Sequence, residues 1–273
     1  MKKKITVPEI RETKTNGRKI CLVTCYDYTS ATLVEKSDIE MILIGDSLGM
    51  TMLGFDGTIG VQPEDTIRLG AAVRRGAPTT FIIGDMPFGS YNVSDEQAVQ
   101  TANRLMIGIG CDAIKLEGGR RSASRVKAIV DAGIPVCGHI GLTPQSSSAM
   151  GGFKVQGKSI EAAKELLEDA KAIEAAGAFM LMIEGVPVDV TQYIRKNINI
   201  PIIGIGAGPD CEAQAIIFQD MLGYTDWVPK FAKKYANVGP MMLDAFNAYH
   251  QEVTSGQFPT PEYSYNTKVE GLE

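Results

Sequence analysis

Several hydrophobic segments of this chain end abruptly in a residue that could take part in catalysis. These residues are Asp46 and Ser47 after MILIG, Asp85 after FIIG, Lys115 and Glu117 in AIKLE, His139 after PVCG, and Glu184 after FMLMI. One such ending would carry little weight, but five along one chain require a common cause. Their side chains supply carboxylates, a hydroxyl, an ammonium and an imidazole, which are groups used in acid–base catalysis and in binding metal ions or anions.

Three of the carboxylates could form a metal site. Asp46, Asp85 and Glu117 follow consecutive segments predicted to be strands, so they would lie on neighbouring strands of a sheet. Converging carboxylates repel one another unless a cation lies among them. Oxygen ligands suit Mg²⁺ or Mn²⁺, and Mg²⁺ is usually held by one or two carboxylates together with substrate and water. The alternative is that each carboxylate caps the next helix or pairs with an arginine.

The remaining candidates could bind a substrate or move a proton. Lys115 and Glu117 are two apart on one strand and share a face, so Lys115 either neutralises Glu117 or binds an anionic substrate oxygen. His139 is one of two histidines, and it is either structural or a substrate contact. Glu184 is a candidate general base, with a helix N-cap as the alternative.

The elements that must position these residues alternate along the chain. Strands are predicted at 19–25, 41–45, 80–84, 112–116, 134–138, 178–183 and 200–205, with a weak eighth strand at 225–228. Helical patterns lie between them, which favours a parallel sheet buried on both faces. We therefore predict an α/β fold, a single (β/α)8 TIM barrel over residues 1–273, rather than an open doubly wound sheet. In such barrels the active site lies at the carboxyl ends of the strands, where all the polar endings fall.

Three segments carry specific helix signals. Ser94 and Gln97 form the pattern of a capping box, and Pro63 fits the first position of a helix. Segment 158–177 places apolar residues from Ile160 to Ile173 on one stripe. The stretch from Ile140 to Gly157 is too long for an ordinary connection and is predicted to be a lid.

Composition excludes several classes of protein. A net charge of −5 gives no basic surface for nucleic acid, and no apolar run approaches the ~18 residues of a membrane span. The basic N-terminal stretch lacks the apolar core of a secretory signal. The five cysteines are scattered without a C-x-x-C pair, which indicates reduced thiols and a cytoplasmic protein.

With these residues located, the chain resembles the ketopantoate hydroxymethyltransferase family from about residue 5 to residue 255. The most specific segments, in the family's order, are TCYDYTSA, GDSLGM, AAVRRGAP, KLEGG, VCGHIGLTPQS, GGFKVQG, EGVPV, PIIGIGAG and PKFAKKY. The resemblance implies a barrel of the phosphoenolpyruvate mutase/isocitrate lyase type. It also implies a homo-oligomer, commonly a homodecamer.

The resemblance further implies roles for individual residues. Asp46, Asp85 and Glu117 match the family's magnesium residues. The family's oxoacid-binding positions are matched by Asp46, Ser47, Asp85 and Lys115, the substrate-contacting histidine by His139, and the proton acceptor by Glu184. The implied reaction moves a hydroxymethyl group from 5,10-methylenetetrahydrofolate to 3-methyl-2-oxobutanoate, giving 2-dehydropantoate on the route to pantothenate.

Two other functions fit parts of the pattern. A Mg²⁺-dependent lyase or aldolase acting on another 2-oxoacid without folate needs only the same carboxylates and base. A non-catalytic barrel that serves in assembly or binding would be expected to have lost Glu184 or one metal carboxylate, yet all are present.

Overall fold

The computed structural model describes residues 2–272 of the chain, and it contains two compact units. The first unit ends at Phe218 and the second begins at Gln219. All eight strands of the described residues lie in the first unit. The single domain spanning residues 1–273 stays a prediction.

Strands and helices alternate along the first unit. The strands are β1 (Ile20–Thr24), β2 (Met41–Ile44), β3 (Phe81–Asp85), β4 (Ala113–Glu117), β5 (Val136–Gly141), β6 (Met180–Glu184), β7 (Ile202–Ile205) and β8 (Ala213–Ile216). The α-helices begin with α1 (Val7–Asn16), α2 (Tyr28–Lys36), α3 (Leu48–Thr51), α4 (Pro63–Gly76), α5 (Asp95–Ile109) and α6 (Ala123–Asp131). They continue with α7 (Ser147–Met150), α8 (Ile160–Ala175), α9 (Val188–Asn197), α10 (Phe218–Leu222) and α11 (Val238–Thr254). Short 3₁₀ helices cover Arg120–Ser122, Pro144–Ser146 and Pro261–Tyr263.

The eight strands form a closed parallel barrel in chain order, with β8 paired to β1, which confirms the predicted (β/α)8 architecture. Strand register brings the candidate site residues side by side. Asp85 pairs with Lys115, Glu117 with His139, and Gly141 with Glu184. Because these pairs lie at the carboxyl ends of adjacent strands, the fold itself brings the polar endings together.

The predicted position of the eighth strand is wrong. Residues 225–228 form a bend in the second unit, and β8 lies twelve residues earlier, at Ala213–Ile216. Only Ala213 of this strand is buried, so the continuous apolar run that identifies the other strands is missing. The polar residue before it, Glu212, is itself buried and accepts hydrogen bonds from Arg195 Nε at 2.7 Å and from Ile202 N at 2.9 Å. These bonds place the start of β8 beside β7.

The predicted helices are present with two corrections. Pro63 begins α4 as predicted, and Ser94 caps α5 by accepting from the Gln97 N–H. The carboxamide of Gln97 does not complete the capping box, because it accepts from Val93 N at 2.9 Å, one residue earlier. In α8 the buried stripe begins at Leu167, whereas Ile160 at the first turn is 70% exposed.

The barrel interior is filled by alternating side chains of the strands. The buried cluster draws on all eight strands and is composed mainly of isoleucine, leucine, methionine and phenylalanine, with Ala113, Cys137 and Ala213 contributed by β4, β5 and β8. All five cysteines are free thiols, and four of them are buried, as expected for reduced small hydrophobic side chains; Cys21 is exposed.

The second unit contains most of α10 together with α11 and the C-terminal segment. The ring of Phe258 contacts Tyr249 of α11 and Tyr263, with centroids 5.8 Å and 5.7 Å apart. Of the helices in the described part of the chain, none is long and apolar enough to cross a membrane.

Candidate active site

Every site residue predicted from the sequence lies at the carboxyl end of the barrel. Asp85, Glu117 and Glu184 are the last residues of β3, β4 and β6, and Asp46 follows β2 by two residues. Asp46, Asp85, Lys115, Glu117 and His139 are each at most 5% exposed, while Ser47 and Glu184 are half-buried. None of the four carboxylates caps a helix: the N-caps of α5 and α9 are Ser94 and Pro187. The capping alternative for Glu184 and Asp85 is therefore excluded.

Lys115 is the ammonium at the centre of the carboxylates. Its Nζ lies 2.8 Å from Asp85 Oδ1 and 3.7 Å from Glu117 Oε1. The ammonium therefore pairs directly with Asp85 and more distantly with Glu117. One ammonium thus balances only part of the charge of the three carboxylates.

The charges in this cluster shift one another's pKa values. Burial raises the pKa of Asp46 well above its usual range, and repulsion from Asp85 and Glu117 raises it further. Burial also raises the pKa of Asp85, even though Lys115 opposes the shift. Burial would lower the pKa of Lys115, but attraction to the three carboxylates outweighs it and holds this pKa well above the usual value. The cluster is therefore short of positive charge.

His139 connects this cluster to Glu184. Its Nδ1 lies 3.4 Å from Glu117 Oε1 and 3.3 Å from Lys115 Nζ, and its Nε2 lies 3.2 Å from Glu184 Oε2. Burial and the Lys115 ammonium lower the pKa of His139, but its contacts with Glu117 and Glu184 outweigh them and raise the pKa to about 9. The carboxylates on either side of the ring thus favour its protonated form.

The position of Glu184 depends on a glycine in the neighbouring strand. Gly141 has a φ of 90°, and a Cβ at this position would collide with the Glu184 carbonyl oxygen. The same oxygen accepts a hydrogen bond from Leu142 N at 2.8 Å. Because the backbone at position 141 has no side chain, the ends of β5 and β6 approach closely enough for His139 to reach Glu184.

Three residues of the site were not identified from the sequence. Tyr26 shares a 2.6 Å hydrogen bond with Ser47 Oγ. Gln145 and Tyr91 are each 3% exposed and bond to the carboxylate cluster or to each other. All three lie outside the strands, in loops or in the 3₁₀ turn Pro144–Ser146. The available signals were the family segments TCYDYTSA and VCGHIGLTPQS, which contain Tyr26 and Gln145, and the predicted lid, of which Gln145 is a part.

The donor set fits a hard divalent cation held partly by substrate and water. Among residues 2–272, no group of three or more His, Cys, Asp and Glu side chains is arranged to hold a metal ion by itself. Mg²⁺, however, commonly uses only one or two protein carboxylates. Asp46 and Asp85 are buried together with Glu117, and the Lys115 ammonium forms ion pairs with two of these three carboxylates, Asp85 and Glu117. These two residues could hold the ion, with Glu117 nearby.

The arrangement as a whole suits one kind of chemistry. A cation and an ammonium could bind an anionic, oxygen-rich substrate, while Glu184 on the far side of His139 could take a proton from a carbon atom of that substrate. The cysteine and second histidine that favour zinc are absent from this set.

Comparison with known proteins identifies close relatives over the full length. The profile of the family described as "Ketopantoate hydroxymethyltransferase" matches residues 4–261. The 3-methyl-2-oxobutanoate hydroxymethyltransferase of Heliobacterium modesticaldum is 53% identical over 275 residues and covers 100% of both chains. The protein of that name from Clostridium acetobutylicum is 51% identical over 263 residues, covering 96% of this chain and 95% of its own.

Solved structures with a similar fold have low sequence identity. Phosphonopyruvate hydrolase, crystallised with oxalate and Mg²⁺, has a TM-score of 0.62 at 12% identity and covers 95% of this chain and 93% of its own. A 2,3-dimethylmalate lyase of the phosphoenolpyruvate mutase/isocitrate lyase superfamily has a TM-score of 0.60 at 14% identity. The match covers 94% of this chain and 92% of the lyase. They confirm the predicted barrel type, and at this identity they carry information on the fold alone.

Replacing Lys115 by methionine should destabilise the protein in a pH-dependent manner. Removing one partner of a buried ion pair costs about 3–5 kcal/mol near neutral pH. Asp46 and Asp85 have pKa values raised by burial, and loss of the ammonium would raise them further. Groups whose pKa is raised in the folded state bind more protons there, so the variant should lose stability as the pH rises. The melting temperature of Lys115→Met should therefore lie further below wild type at pH 7.5 than at pH 5, in EDTA.

A surface lysine provides the matched control. Lys171 pairs with Glu168 at 2.9 Å on α8, and both side chains are about half exposed. Lys171→Met should change stability by roughly 0–1 kcal/mol. If the melting temperature of Lys115→Met lies equally far below wild type at both pH values, the carboxylates are not the cause of the lost stability.

Proposed function

The chain belongs to the ketopantoate hydroxymethyltransferase family and is a transferase, and from this premise we propose the substrates and the roles of its residues. The proposed reaction moves a hydroxymethyl group from 5,10-methylenetetrahydrofolate to 3-methyl-2-oxobutanoate, giving 2-dehydropantoate. The observation that carries the proposal is the buried carboxylate cluster around Lys115, joined through His139 to a half-buried glutamate. Binding an oxoacid calls for charged groups that hold its oxygen atoms, and removing a proton from its C3 calls for an accessible carboxylate beside them.

The acidic residues and Lys115 would hold the oxoacid. Asp46 and Asp85 would bind Mg²⁺ with Glu117 close by, and Ser47 and the Lys115 ammonium would contact oxygen atoms of the substrate. When bound, Mg²⁺ supplies a Lewis acid that stabilises the negative charge of an enolate. Lys115 adds a positive charge in the same buried region, where the low dielectric strengthens its effect.

Glu184 would be the general base. It is the one carboxylate of the site outside the Lys115 cluster, and it remains partly accessible. His139 Nε2 lies 3.2 Å from one carboxylate oxygen of Glu184, close enough to limit the directions in which that carboxylate can turn. His139 thus orients the base while its other nitrogen faces Glu117.

We also propose that the protein is a homo-oligomer, as the family resemblance implies. No residue of α11 is buried, yet Met242, Phe246, Tyr249 and Val253 form a stripe along it at alternating spacings of four and three residues. An apolar stripe of this period is typical of a helix that packs against another helix. Light scattering on the purified protein tests the proposal, and a monomer at micromolar concentration would overturn it.

Turnover should require both a divalent cation and the folate. Protein stripped with EDTA should form no 2-dehydropantoate, and Mg²⁺ or Mn²⁺ should restore the activity because the ligands are all oxygen atoms. With Mg²⁺ restored, omitting 5,10-methylenetetrahydrofolate should abolish product formation. Full activity after stripping would overturn the magnesium proposal. Cleavage of a 2-oxoacid without folate would indicate a lyase or aldolase.

Glu184→Gln should retain oxoacid binding and lose proton abstraction. The amide has nearly the same shape, but it cannot accept the C3 proton, so exchange of this proton in D₂O should slow by about 10²–10⁴-fold. Proton NMR measures the exchange, and calorimetry measures binding of the oxoacid. Asp189→Asn, at an exposed position on the following helix, is the matched control. Exchange at the wild-type rate in Glu184→Gln would mean that another residue is the base.

A further inference from the structure

The three carboxylates of the cluster share a pattern of hydrogen bonding. In each, one oxygen accepts from an amide N–H: Asp46 Oδ2 from Gln145 Nε2 at 2.8 Å, Asp85 Oδ2 from Asp46 N at 3.0 Å, and Glu117 Oε2 from Gln145 N at 3.1 Å. The second oxygens of Asp85 and Glu117 face the Lys115 ammonium, at 2.8 Å and 3.7 Å. Asp46 Oδ1 takes no part in these contacts. Each carboxylate therefore has one oxygen fixed by an amide, and Asp46 Oδ1 is left to face a ligand.

Gln145 supplies two of these three amide donors from a single residue. It lies in the 3₁₀ turn Pro144–Ser146, at the start of the long connection between β5 and α8. Its backbone N–H holds Glu117 and its side chain holds Asp46, so it links the ends of two strands that are not adjacent. Lys115 is likewise close to two of the three carboxylates, Asp85 and Glu117, but as a charged group rather than an amide.

The orientation of the Gln145 carboxamide is determined by its neighbours. Nε2 faces two acceptors, Asp46 Oδ2 and the Met86 carbonyl oxygen at 2.9 Å, so only the NH₂ group can occupy this position. Oε1 lies 2.6 Å from the Tyr91 hydroxyl. Because that hydroxyl accepts from Glu117 N at 3.3 Å, its own proton is available for Gln145. The amide is fully bonded in one orientation.

We propose that Gln145 is a positioning residue that selects which carboxylate oxygen of Asp46 faces the divalent cation, and that Tyr91 fixes Gln145 in turn. The inference rests on the proposed function, because it assumes that the cluster binds a cation. As a neutral donor, the carboxamide fixes Oδ2 without adding a positive charge that would compete with the cation. Without it, the Asp46 carboxylate could rotate about its terminal torsion, which is broad and only weakly restricted.

A purely structural role for Gln145 makes a different prediction. A buried amide contributes to stability only while its hydrogen bonds are made, and an apolar side chain of similar length fills the same volume. If Gln145 merely fills space, its replacement should change the melting temperature and leave cation binding unaltered. Cation binding to the substrate-free protein is therefore the decisive measurement.

The experiment compares Mn²⁺ binding by wild type, Gln145→Met, Tyr91→Phe and Gln156→Met. Metal-stripped protein is titrated with Mn²⁺ without oxoacid or folate, and free Mn²⁺ is followed by electron paramagnetic resonance. Loss of a residue that orients a metal ligand typically weakens binding by about 10–100-fold, which is the result expected for Gln145→Met. Tyr91→Phe should weaken binding less, because Nε2 keeps its two acceptors. Gln156 lies in the same connection and its side-chain amide donates to Lys154 O at 2.9 Å, away from the carboxylates, so Gln156→Met should bind as wild type does.

The possible outcomes separate the two proposals. Equal Mn²⁺ affinity in wild type and Gln145→Met overturns the role of Gln145 and leaves the magnesium proposal intact. Failure of the wild type itself to bind Mn²⁺ overturns the magnesium proposal, and the role of Gln145 falls with it. If Gln145→Met does not fold, Tyr91→Phe decides: weaker binding at an unchanged melting temperature supports the role, and equal binding overturns it.

Discussion

Three carboxylates and one ammonium are buried together at the carboxyl end of this barrel, and the charges do not cancel. Lys115 lies 2.8 Å from Asp85 and 3.7 Å from Glu117. Burial, together with repulsion from Asp85 and Glu117, raises the pKa of Asp46 well above its usual range. Burying such a group costs free energy unless partners offset the lost hydration. The hydrogen bonds from Gln145 to Asp46 and Glu117, and the imidazolium of His139 beside Glu117, supply part of this compensation. A divalent cation and an anionic substrate would complete it.

The barrel makes this concentration of charge possible by fixing distances through strand register. Asp85 and Lys115 are register partners on β3 and β4, and Glu117 and His139 are partners on β4 and β5. Backbone hydrogen bonds along the strands determine these neighbours, so side chains that repel one another cannot move apart without breaking the sheet. The rigid frame thus keeps the repelling carboxylates together, and a cation bound there would relieve their repulsion. Loops contribute the finer contacts, because Gln145, Tyr91 and Tyr26 all reach the cluster from outside the strands.

The sequence alone predicted the barrel and the principal site residues for one physical reason. A buried parallel strand is a continuous apolar run, so a carboxylate or lysine at its end is conspicuous, as with Asp46, Asp85, Lys115, Glu117 and Glu184. The same criterion misplaced β8, since Gln214 is exposed and only Ala213 is buried. It also missed Gln145 and Tyr91, whose importance lies in hydrogen-bond direction. A polar residue in a loop is unremarkable by pattern, and only the folded chain shows that its amide faces a buried carboxylate.

The absence of a side chain at Gly141 has a consequence for how such an enzyme can diversify. The backbone of β5 passes so close to the Glu184 carbonyl that any larger residue would push the end of β6 outward. The positive φ of Gly141 adds a second barrier to substitution. Substrate range can therefore change through the half-buried residues around the barrel mouth, while the distance between His139 and Glu184 stays constant. Directed evolution toward bulkier substrates would accordingly gain more from randomising those surrounding positions than from any library that includes residue 141.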